Sequence, residues 1–309
     1  MENELIQWLR VRTKRTAGVR IGIGDDAAIL TPSSGNELVV TTDMLMDRVD
    51  FIWGEHDPAL IGRKCLAVNL SDLAAMAARP LAAFVSLALP RSFSLEQVKK
   101  LMGGMLDLAA EFEMEIAGGD TNSYDGPLVV SVTAMGETPQ DNAWTRAGAK
   151  PGDRILVSGP LGGSIVEHQF TFTPRVREAQ AWREVDTIHS AIDISDGFSL
   201  DLSRLLNASS VGAIIEESQI PISDAARQMS AAGSGKTPLA HALGDGEDFE
   251  LILSVAPDAA KVLLNSARSK GQTLIEVGQV IEGSEILLRS SNGKTAPLPI
   301  TGYEHRLTP

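Results

Sequence analysis

The sequence predicts an α+β protein built from two mixed α/β domains, and three observations support that prediction. The chain has 309 residues, a length typical of one large domain or two ordinary ones. Segments with strand character alternate with helical segments in both halves. Between the halves, residues 146–153 read RAGAKPGD, a run of Gly, Pro and charged residues that is typical of a linker. We therefore expect an N-terminal domain at 1–145 and a C-terminal α+β domain at 146–309.

The N-terminal half is predicted to hold four strands and two helices. The sequence ELVVTT is typical of a strand and leads directly to Asp43. The first helix carries apolar and small residues nearly all round and ends before Pro80, so we expect it to be buried. Ser94 is the predicted N-cap of the second helix. The predicted elements are strands at 37–42, 81–89, 114–117 and 127–136, and helices at 58–78 and 94–112.

The C-terminal half repeats the alternation after a glycine-rich turn at 159–163. Its apolar, β-branched runs are separated by amphipathic segments of helical length. We predict strands at 154–158, 191–194, 211–216, 250–255 and 273–281, and helices at 174–186, 198–206, 223–230 and 258–270.

The amino-acid composition limits which partners the protein can bind and in which cellular compartment it is expected. The net charge of −13 disfavours nucleic acid and anionic membranes, because both need basic patches. Cys65 is the only cysteine, which excludes an internal disulfide and a cysteine-rich zinc site. The start MENELIQWLR is polar and does not resemble a signal peptide, and the apolar run at 81–89 is too short to span a bilayer. We expect a cytoplasmic protein without membrane contact.

Six short acidic motifs indicate the chemistry, and each is predicted to lie where a strand or helix ends. Carboxylates among apolar and glycine-rich residues are costly unless a positive partner meets them. Few basic residues lie near these motifs, so a divalent cation is the expected partner, and magnesium usually brings phosphates. The sequence therefore predicts a magnesium-nucleotide enzyme without a phosphate loop. The motifs are GDDAA (24–28), TTDM (41–44), NLSD (69–72), GGDT (118–121), DISDG (193–197) and GDGED (244–248).

Three other patterns do not indicate a site. The segment GSGKT at 233–237 lacks the first glycine of a phosphate loop, since Ser230 stands there, and we interpret it as a flexible loop. DISDGFSLD does not fit a calcium hand, because its glycine is fifth instead of sixth and Arg204 stands at position twelve, where glutamate is required. The five histidines show no metal-ligand spacing, and a Ser-His-Asp arrangement cannot be argued from sequence because proximity is not visible.

The motifs together resemble the thiamine-monophosphate kinase family, which belongs to the aminoimidazole-ribonucleotide-synthetase-related superfamily. The resemblance extends from Gly22 to Pro309. NLSDLAAM together with DISDG and GEDFEL is specific, whereas GGDT alone is not. The segments that carry the resemblance are GIGDDAAIL, VTTDMLMDRVDF, GRKCLAVNLSDLAAMAARP, GGDTN, TRAGAKPGD, AIDISDGFSLDL, GDGEDFEL and GYEH.

The resemblance implies a homodimer whose N-terminal sheets pair, with ATP and thiamine monophosphate bound between the domains. Direct phosphoryl transfer would give ADP and thiamine diphosphate, and the ionised acceptor phosphate needs no strong general base, so no catalytic side chain is assigned. Several magnesium ions would be held by Asp26, Thr41, Thr42, Asp43, Asp72, Asp120, Asp193 and Asp196. ATP would contact Gly119, Asp120, Arg146 and Ser195, and the thiamine substrate would contact Asp50, Glu247 and Tyr303.

The chain departs from the family pattern at three places. Asp50 stands where the family usually has histidine, the segment 163–174 is shorter than usual, and Asp245 replaces a glycine. Two alternatives therefore stay open. One is a related enzyme of the superfamily that uses ATP on a different small substrate. The other is a nucleotide-binding protein without turnover, although a purely structural protein would gain stability by losing these carboxylates.

Overall fold

The computed structural model describes residues 8–9, 11–13, 16, 18–21, 29–30 and 32–304. The GDDAA motif with Asp26 lies outside the described residues. The described chain forms two compact units, one up to residue 73 together with 78–143, and one of 74–77 together with 144–304. Each unit mixes helices with its own sheet, which confirms the predicted fold class. The functional boundary at 145/146 stays a prediction.

The secondary structure is numbered in chain order. Two single 3-10 turns, Ser164–Val166 and Glu217–Gln219, add to the elements below. The strands are β1 (Val19–Ile21), β2 (Ile29–Leu30), β3 (Asn36–Met46), β4 (Arg79–Pro90), β5 (Glu115–Tyr124), β6 (Val129–Pro139), β7 (Arg154–Val157), β8 (Ser190–Asp193), β9 (Gly212–Glu216), β10 (Leu251–Val255), β11 (Ile275–Ile281), β12 (Ile286–Arg289) and β13 (Thr295–Pro297). The helices are α1 (Pro58–Ala75), α2 (Leu95–Glu111), α3 (His168–Thr171), α4 (Val176–Arg183), α5 (Phe198–Ser209), α6 (Asp224–Ala231), α7 (Pro238–Gly244) and α8 (Pro257–Ser269).

The first unit contains a four-stranded sheet with the order β3-β6-β4-β5, besides the β1-β2 pair. Strand β3 pairs with β6 over its whole length, and its side chains alternate between the two faces of the sheet. Val39 and Leu45 are buried, whereas Leu38, Val40 and Met44 are 45%, 55% and 59% exposed. One face of the sheet is therefore a core face. On the other face, residues of the β1-β2 pair pack near Phe84 of β4, whereas the β3 side chains are left uncovered by the described chain.

Helices α1 and α2 approach each other closely through two glycines. A Cβ at Gly62 of α1 would lie 1.8 Å from the Leu101 carbonyl oxygen, and a Cβ at Gly104 of α2 would lie 1.8 Å from the Ala59 carbonyl oxygen. Helix α1 is buried on nearly all sides, as the sequence predicted, with Ile61 and Leu66 fully inaccessible. The packing of the first unit thus depends on backbone contact that any side chain would prevent.

Two neighbouring glycines of α2 provide a matched test of this contact. Gly104→Ala is expected to destabilise the protein by about 2 kcal/mol or more, because the two helices must separate. Gly103→Ala is expected to stabilise it by about 0.5–1 kcal/mol, since alanine favours the helix and an added Cβ there meets no atom within 4 Å. Urea unfolding of both variants measures the two effects, and equal effects would contradict the close approach.

The second unit contains a seven-stranded sheet with the order β13-β12-β9-β11-β7-β10-β8. Its pairs are antiparallel except for β12 with β9, which run parallel. Apolar residues of β7, β8 and β10 pack against helix α5, where Phe198, Leu202 and Leu205 are fully buried. This packing fixes the loop between β8 and α5, which carries the DISDG motif.

Several expected boundaries differ from the structure. Asp43 was predicted at a strand end but lies inside β3, because β6 pairs with that strand through to Met46. The GGDT motif likewise lies inside β5, which pairs with β4 through to Tyr124, and Asn69 and Asp72 lie within α1. Strands β12 and β13 and helix α7 were not predicted. Of the five motifs in the described part of the chain, DISDG alone begins at a strand end, and GDGED joins α7 to β10.

Among the described residues, no helix is both long enough and apolar enough to cross a membrane.

Candidate functional site

Two carboxylates meet on the core face of the first unit. The carboxyl groups of Asp43 of β3 and Asp72 of α1 lie close enough to interact, and Thr41 Oγ1 donates to Asp72 Oδ2. Thr41 and Asp43 are two residues apart on one strand, so both point to the face that α1 covers. The sheet and the helix therefore build a pocket of oxygen atoms from distant parts of the sequence.

The Asp43 carboxyl is electrostatically unfavourable where it stands. Burial, together with the negative charges of Asp72 and Asp50, raises the pKa of Asp43 to about 7. Its Oδ2 is buried and has no hydrogen-bond partner. A carboxylate oxygen in that condition needs a cation or a proton. One turn before Asp72, on the same face of α1, Asn69 also has a buried Oδ1 without a partner.

These donors suit a hard divalent cation. The set consists of hydroxyl, amide and carboxylate oxygens, which are the ligands that magnesium prefers, and it contains no sulfur or imidazole. The unpartnered Oδ2 of Asp43 is the observation that fits such an ion. Thr41, Asp43 and Asp72, with Asn69 beside them, are thus described residues of this unit that would suit magnesium.

Asp50 lies beside this group in a tight turn. Its Oδ2 accepts a hydrogen bond from the Met46 amide at 2.7 Å, and its main-chain carbonyl oxygen accepts one from Lys64 Nζ at 2.6 Å. Lys64 is fully buried, so its ammonium holds the main chain of the turn in place. Asp50 Oδ1 makes no hydrogen bond within the described chain and remains available to a ligand.

Other predicted residues of this unit lie apart from the carboxylate pair. Thr42 points to the opposite face, where its hydroxyl lies 3.2 Å from the Val132 carbonyl oxygen and 3.1 Å from the Thr133 hydroxyl. Gly119 aligns with Asp43 across the sheet but three strands away, about 14 Å at ordinary strand spacing, and Asp120 follows it. A Cβ at Gly119 would lie 1.9 Å from the Val85 carbonyl oxygen, so only glycine fits there.

The expected gathering of six acidic motifs is not seen as one cluster. Within the described chain, no group of three or more His, Cys, Asp or Glu side chains lies close enough to hold a metal ion. Within the first unit, the GGDT motif lies three strands away from Asp43, and Asp26 falls outside the described residues. The structure brings together Thr41, Asp43 and Asp72, whose roles as ligands stay predictions.

In the second unit, three distant motifs converge on the turn after β8. The Glu247 amide donates to the Ser195 carbonyl oxygen at 2.7 Å, and the Tyr303 amide donates to the Asp196 carbonyl oxygen at 2.9 Å. Ser199 at the start of α5 exchanges two hydrogen bonds with the main chain of Thr301. Two of the three predicted substrate contacts, Glu247 and Tyr303, are therefore fixed to the predicted ATP-binding turn.

The Glu247 loop has a strained backbone. Glu247 and Phe249 have φ values of 64° and 49°. These lie in the left-handed region, which residues other than glycine, asparagine and aspartate seldom occupy. Phe249 is buried and its ring stacks on that of Phe172 at 4.3 Å between centroids. Such strain persists only where the surroundings impose it, and it concentrates at binding sites.

The remaining predicted residues of this unit have varied surroundings. Asp193 is buried at the end of β8, paired across the sheet with Leu251. Asp196 forms an ion pair with Arg204, which also contacts Asp201 at 2.6 Å, so its charge is neutralised by a guanidinium. Arg146 is exposed, and its guanidinium makes no hydrogen bond within the described residues.

Below the Glu247 loop lies a buried polar network. The Gly162 amide donates to both oxygens of Asp248 at 3.0 and 2.9 Å, and Ser164 Oγ donates to Asp248 Oδ1. Burial raises the pKa of Asp248 to about 8, although these hydrogen bonds oppose the shift. Glu250 is also buried, and the Arg175 guanidinium donates hydrogen bonds to both of its carboxylate oxygens.

Asp248 is expected to make stability depend on pH. A carboxyl whose pKa rises on folding stabilises the folded state, because that state binds the proton more tightly. The contribution is complete at pH values below the ordinary pKa of 3.8, and it is lost as the pH rises through the folded-state pKa of about 8. The free energy of unfolding of the wild type, relative to that of Asp248→Asn, should therefore fall between about pH 4 and pH 8. Urea titrations across that range measure the difference. Asp258→Asn, at a fully exposed position, is the control, and a flat difference for Asp248→Asn would contradict the assignment.

Comparison with known proteins identifies the family. A family model described as AIR synthase related protein, N-terminal domain, matches residues 24–138, and its C-terminal counterpart matches residues 166–289. The thiamine-monophosphate kinase of Rhodopirellula baltica is 42% identical over 312 residues, covering 99% of this chain and 97% of that protein. The chain belongs to the thiamine-monophosphate kinase family.

Solved structures of thiamine-monophosphate kinases have the same fold. The crystal structure of the enzyme from Stenotrophomonas maltophilia K279a matches with a TM-score of 0.82 at 35% identity, covering 94% of this chain and 96% of that one. A structure described as AaThiL complexed with AMPPCP and TMP matches with a TM-score of 0.77 at 25% identity and covers 89% of each chain. The resemblance seen in the sequence motifs is thereby confirmed.

Sequence reasoning towards a thiamine-monophosphate kinase missed two features of the site. Asp248 was noted only as part of the GDGED motif, and the adjacent residues in the sequence do not predict that its side chain is buried. The left-handed conformations of Glu247 and Phe249 have no signal in residue type, since neither is glycine, asparagine or aspartate. Asn69, in contrast, was noted because it lies three residues before Asp72 on a helix predicted to be buried.

Proposed function

We propose that this protein phosphorylates thiamine monophosphate with ATP, giving thiamine diphosphate and ADP. The observation that carries the proposal is the half-buried pair of Asp43 and Asp72, with a buried, unpartnered carboxylate oxygen on Asp43, in a chain of the thiamine-monophosphate kinase family. A relative's complex with AMPPCP and TMP supports the choice of substrates.

The residues of the first unit serve charge neutralisation. Magnesium, when bound, would neutralise phosphate charge and stabilise the transferring group. Thr41, Asp43 and Asp72 supply fixed oxygens for it, because β3 and α1 hold these side chains before any ligand arrives. Such preorganisation lowers the cost of rearrangement when the nucleotide binds. Asp120, Asp193 and Asp196 are proposed as further ligands by their place in the motifs, and Arg204 would have to release Asp196.

Besides the proposed ligands Asp193 and Asp196, the second unit supplies residues that serve positioning. Ser195 and Asp196 hold the loop of Glu247 and the segment of Tyr303 through main-chain hydrogen bonds, so a ligand at one element is placed relative to the others. The acceptor phosphate is already ionised at neutral pH, and transfer then depends on alignment of the attacking and leaving oxygens. This arrangement requires no histidine or cysteine as a catalytic base.

The test is a product assay with the purified full chain, magnesium, ATP and thiamine monophosphate. Thiamine diphosphate and ADP are expected in equal amounts, and omission of magnesium should abolish both. Formation of ADP from ATP only when another small substrate is supplied, with no thiamine diphosphate, would keep the nucleotide site but assign the protein to a related activity of the superfamily.

Asp50 is proposed to meet the cationic ring of the substrate. Asp50→Asn keeps a side-chain oxygen for the Met46 amide but removes the negative charge. We expect KM for thiamine monophosphate to rise about 10-fold with a smaller change in kcat, because one partly screened charge contact is lost. Steady-state kinetics measure this, with Asp57→Asn, in the loop before α1, as the control. An unchanged KM would leave Asp50 with its role in the turn alone.

We propose that a second copy of the chain covers the open face of the β3-β6-β4-β5 sheet. Leu38, Val40 and Met44 form an exposed apolar row on β3, and no described segment packs on it. Contiguous apolar patches of this kind mark interaction surfaces. A pair of such sheets gives the homodimer that the sequence resemblance implied, and the molar mass in solution, measured by light scattering, tests it.

A further inference from the structure

A serine, a histidine and an aspartate form a hydrogen-bonded chain at the loop after α6. Ser234 Oγ lies 2.7 Å from His241 Nε2, and His241 Nδ1 lies 2.7 Å from Asp245 Oδ2. The order and the distances are those of a nucleophile, a base and the group that orients the base. None of these three residues was assigned a role in phosphoryl transfer.

Helix α7 fixes the base and its partner. Asp245 is the C-cap residue, four positions after His241, and its carboxylate reaches back to the imidazole. Thr237 caps the helix by accepting the Ala240 amide, and Pro238 occupies its first position. The imidazole is 2% exposed, and its ring is therefore held in one orientation.

The aspartate sets the tautomer of the histidine. Lys236 Nζ contacts Asp245 Oδ1 at 2.8 Å, and the Gly163 amide donates to Oδ2 at 3.0 Å. Although burial opposes it, hydrogen bonds from Lys236 and His241 lower the pKa of Asp245. An ionised carboxylate only accepts, so Nδ1 of a neutral His241 carries the proton and Nε2 is left as the acceptor.

Ser234 then donates its proton to His241. The competing acceptor, the Lys236 carbonyl oxygen, is 3.5 Å away, whereas His241 Nε2 is 2.7 Å away. The shorter contact dominates because hydrogen bonds weaken steeply beyond about 3.2 Å. The Ser234 oxygen is thus placed to lose its proton to a base as it attacks an electrophile.

The loop leaves the nucleophile accessible. Ser234 lies between Gly233 and Gly235, both in the left-handed region, and an added Cβ on either glycine would meet no atom within 4 Å. The Gly235 amide donates no hydrogen bond to any described residue. An amide directly after the nucleophile is a common donor to the oxyanion of acyl transfer.

We propose that Ser234, His241 and Asp245 form a nucleophilic triad that hydrolyses small carboxylic esters. Ser234 Oγ bonds to the ester carbonyl carbon while its proton passes to His241 Nε2. The bond from that carbon to the alcohol oxygen breaks, and the alcohol leaves with the proton from His241. Water then attacks the acyl-serine and gives a proton to His241, which returns it to Ser234 Oγ as the carboxylic acid departs.

The test uses the full chain with p-nitrophenyl acetate and, separately, a fluorophosphonate probe. We expect steady release of p-nitrophenolate and one covalent adduct on the peptide that contains Ser234, identified by mass spectrometry. Ser234→Ala should lose the adduct and lower the rate by about 100-fold or more, and His241→Gln should do the same. Ser230→Ala, in the preceding helix, is the matched control and should behave as wild type.

Two outcomes would overturn the proposal. One is a rate of ester hydrolysis that Ser234→Ala leaves unchanged, and the other is an adduct on a residue other than Ser234. Since Ser234 is exposed, its alanine variant is expected to fold, and an unchanged thermal midpoint verifies this. A hydrogen-bonded chain that only fastens the loop would alter the midpoint and give no adduct.

Discussion

Asp72→Asn is expected to lower kcat for thiamine diphosphate formation by about 100- to 1,000-fold while the protein stays folded. Asparagine preserves the shape of the side chain and an oxygen that can still accept the Thr41 hydroxyl. It removes one of the two negative charges that the proposed cation would neutralise. Burial is the main cause of the raised pKa of Asp43, and the variant removes the repulsion from Asp72 that adds to it, so the unfolding midpoint without metal should not fall.

A binding measurement separates loss of the metal site from loss of catalysis. Magnesium should raise the thermal midpoint of the wild type, because a ligand that binds only the folded state stabilises it. The Asp72→Asn variant should show little of this shift. Asp125→Asn is the control, since Asp125 forms an exposed ion pair with Arg91 at 3.2 Å. A variant at position 72 that keeps both the shift and the turnover would remove Asp72 from the site.

Arg175→Met is expected to destabilise the second unit by about 3–5 kcal/mol. The Glu250 side chain is 1% exposed, and the Arg175 guanidinium is bonded to both of its oxygens. Methionine has a similar length but no charge, so a buried carboxylate would be left with only the Ser158 hydroxyl as a side-chain donor. Urea unfolding followed by circular dichroism measures the loss.

Two further variants make the Arg175 result interpretable. Arg177→Met changes an exposed arginine two residues away and should cost no more than about 1 kcal/mol. The double variant Arg175→Met with Glu250→Leu should regain much of the stability, because an apolar pair replaces a buried ion pair at little net cost. A double variant as unstable as the sum of the single changes would show that the two residues act independently.

The sequence predicted the fold class and most elements because their patterns are local. Helix α1 was evident from its apolar residues and the following Pro80, and α2 from Ser94, whose capping hydrogen bond the structure contains. The ends of β3 and β5 were missed because pairing with β6 and β4 extends them, and partners are not visible in a local window. Strands β12 and β13 were missed because four and three half-buried or exposed residues give too short a pattern.

The candidate site was predictable in part for the same reason. Asp72 was selected by its spacing from Asn69 on one helix, and Asp43 by its motif, but their contact depends on how α1 lies on the sheet. The pair of His241 and Asp245 has helical spacing, yet α7 was not predicted because it is only seven residues long. Ser234 could not have been added, since its approach to His241 is produced by the turn of two glycines.

The alternation of β3 makes this strand intolerant of insertions and deletions. Thr41 and Asp43 point toward α1, while Val40, Thr42 and Met44 point to the open face. Removal of one residue between Asn36 and Val40 would exchange these two sets, burying methionine beside Asp72 and moving the carboxylate outward. A substitution in β3 changes one side chain and leaves the others on their faces. A single-codon deletion here would eliminate the carboxylate pair and the apolar row together.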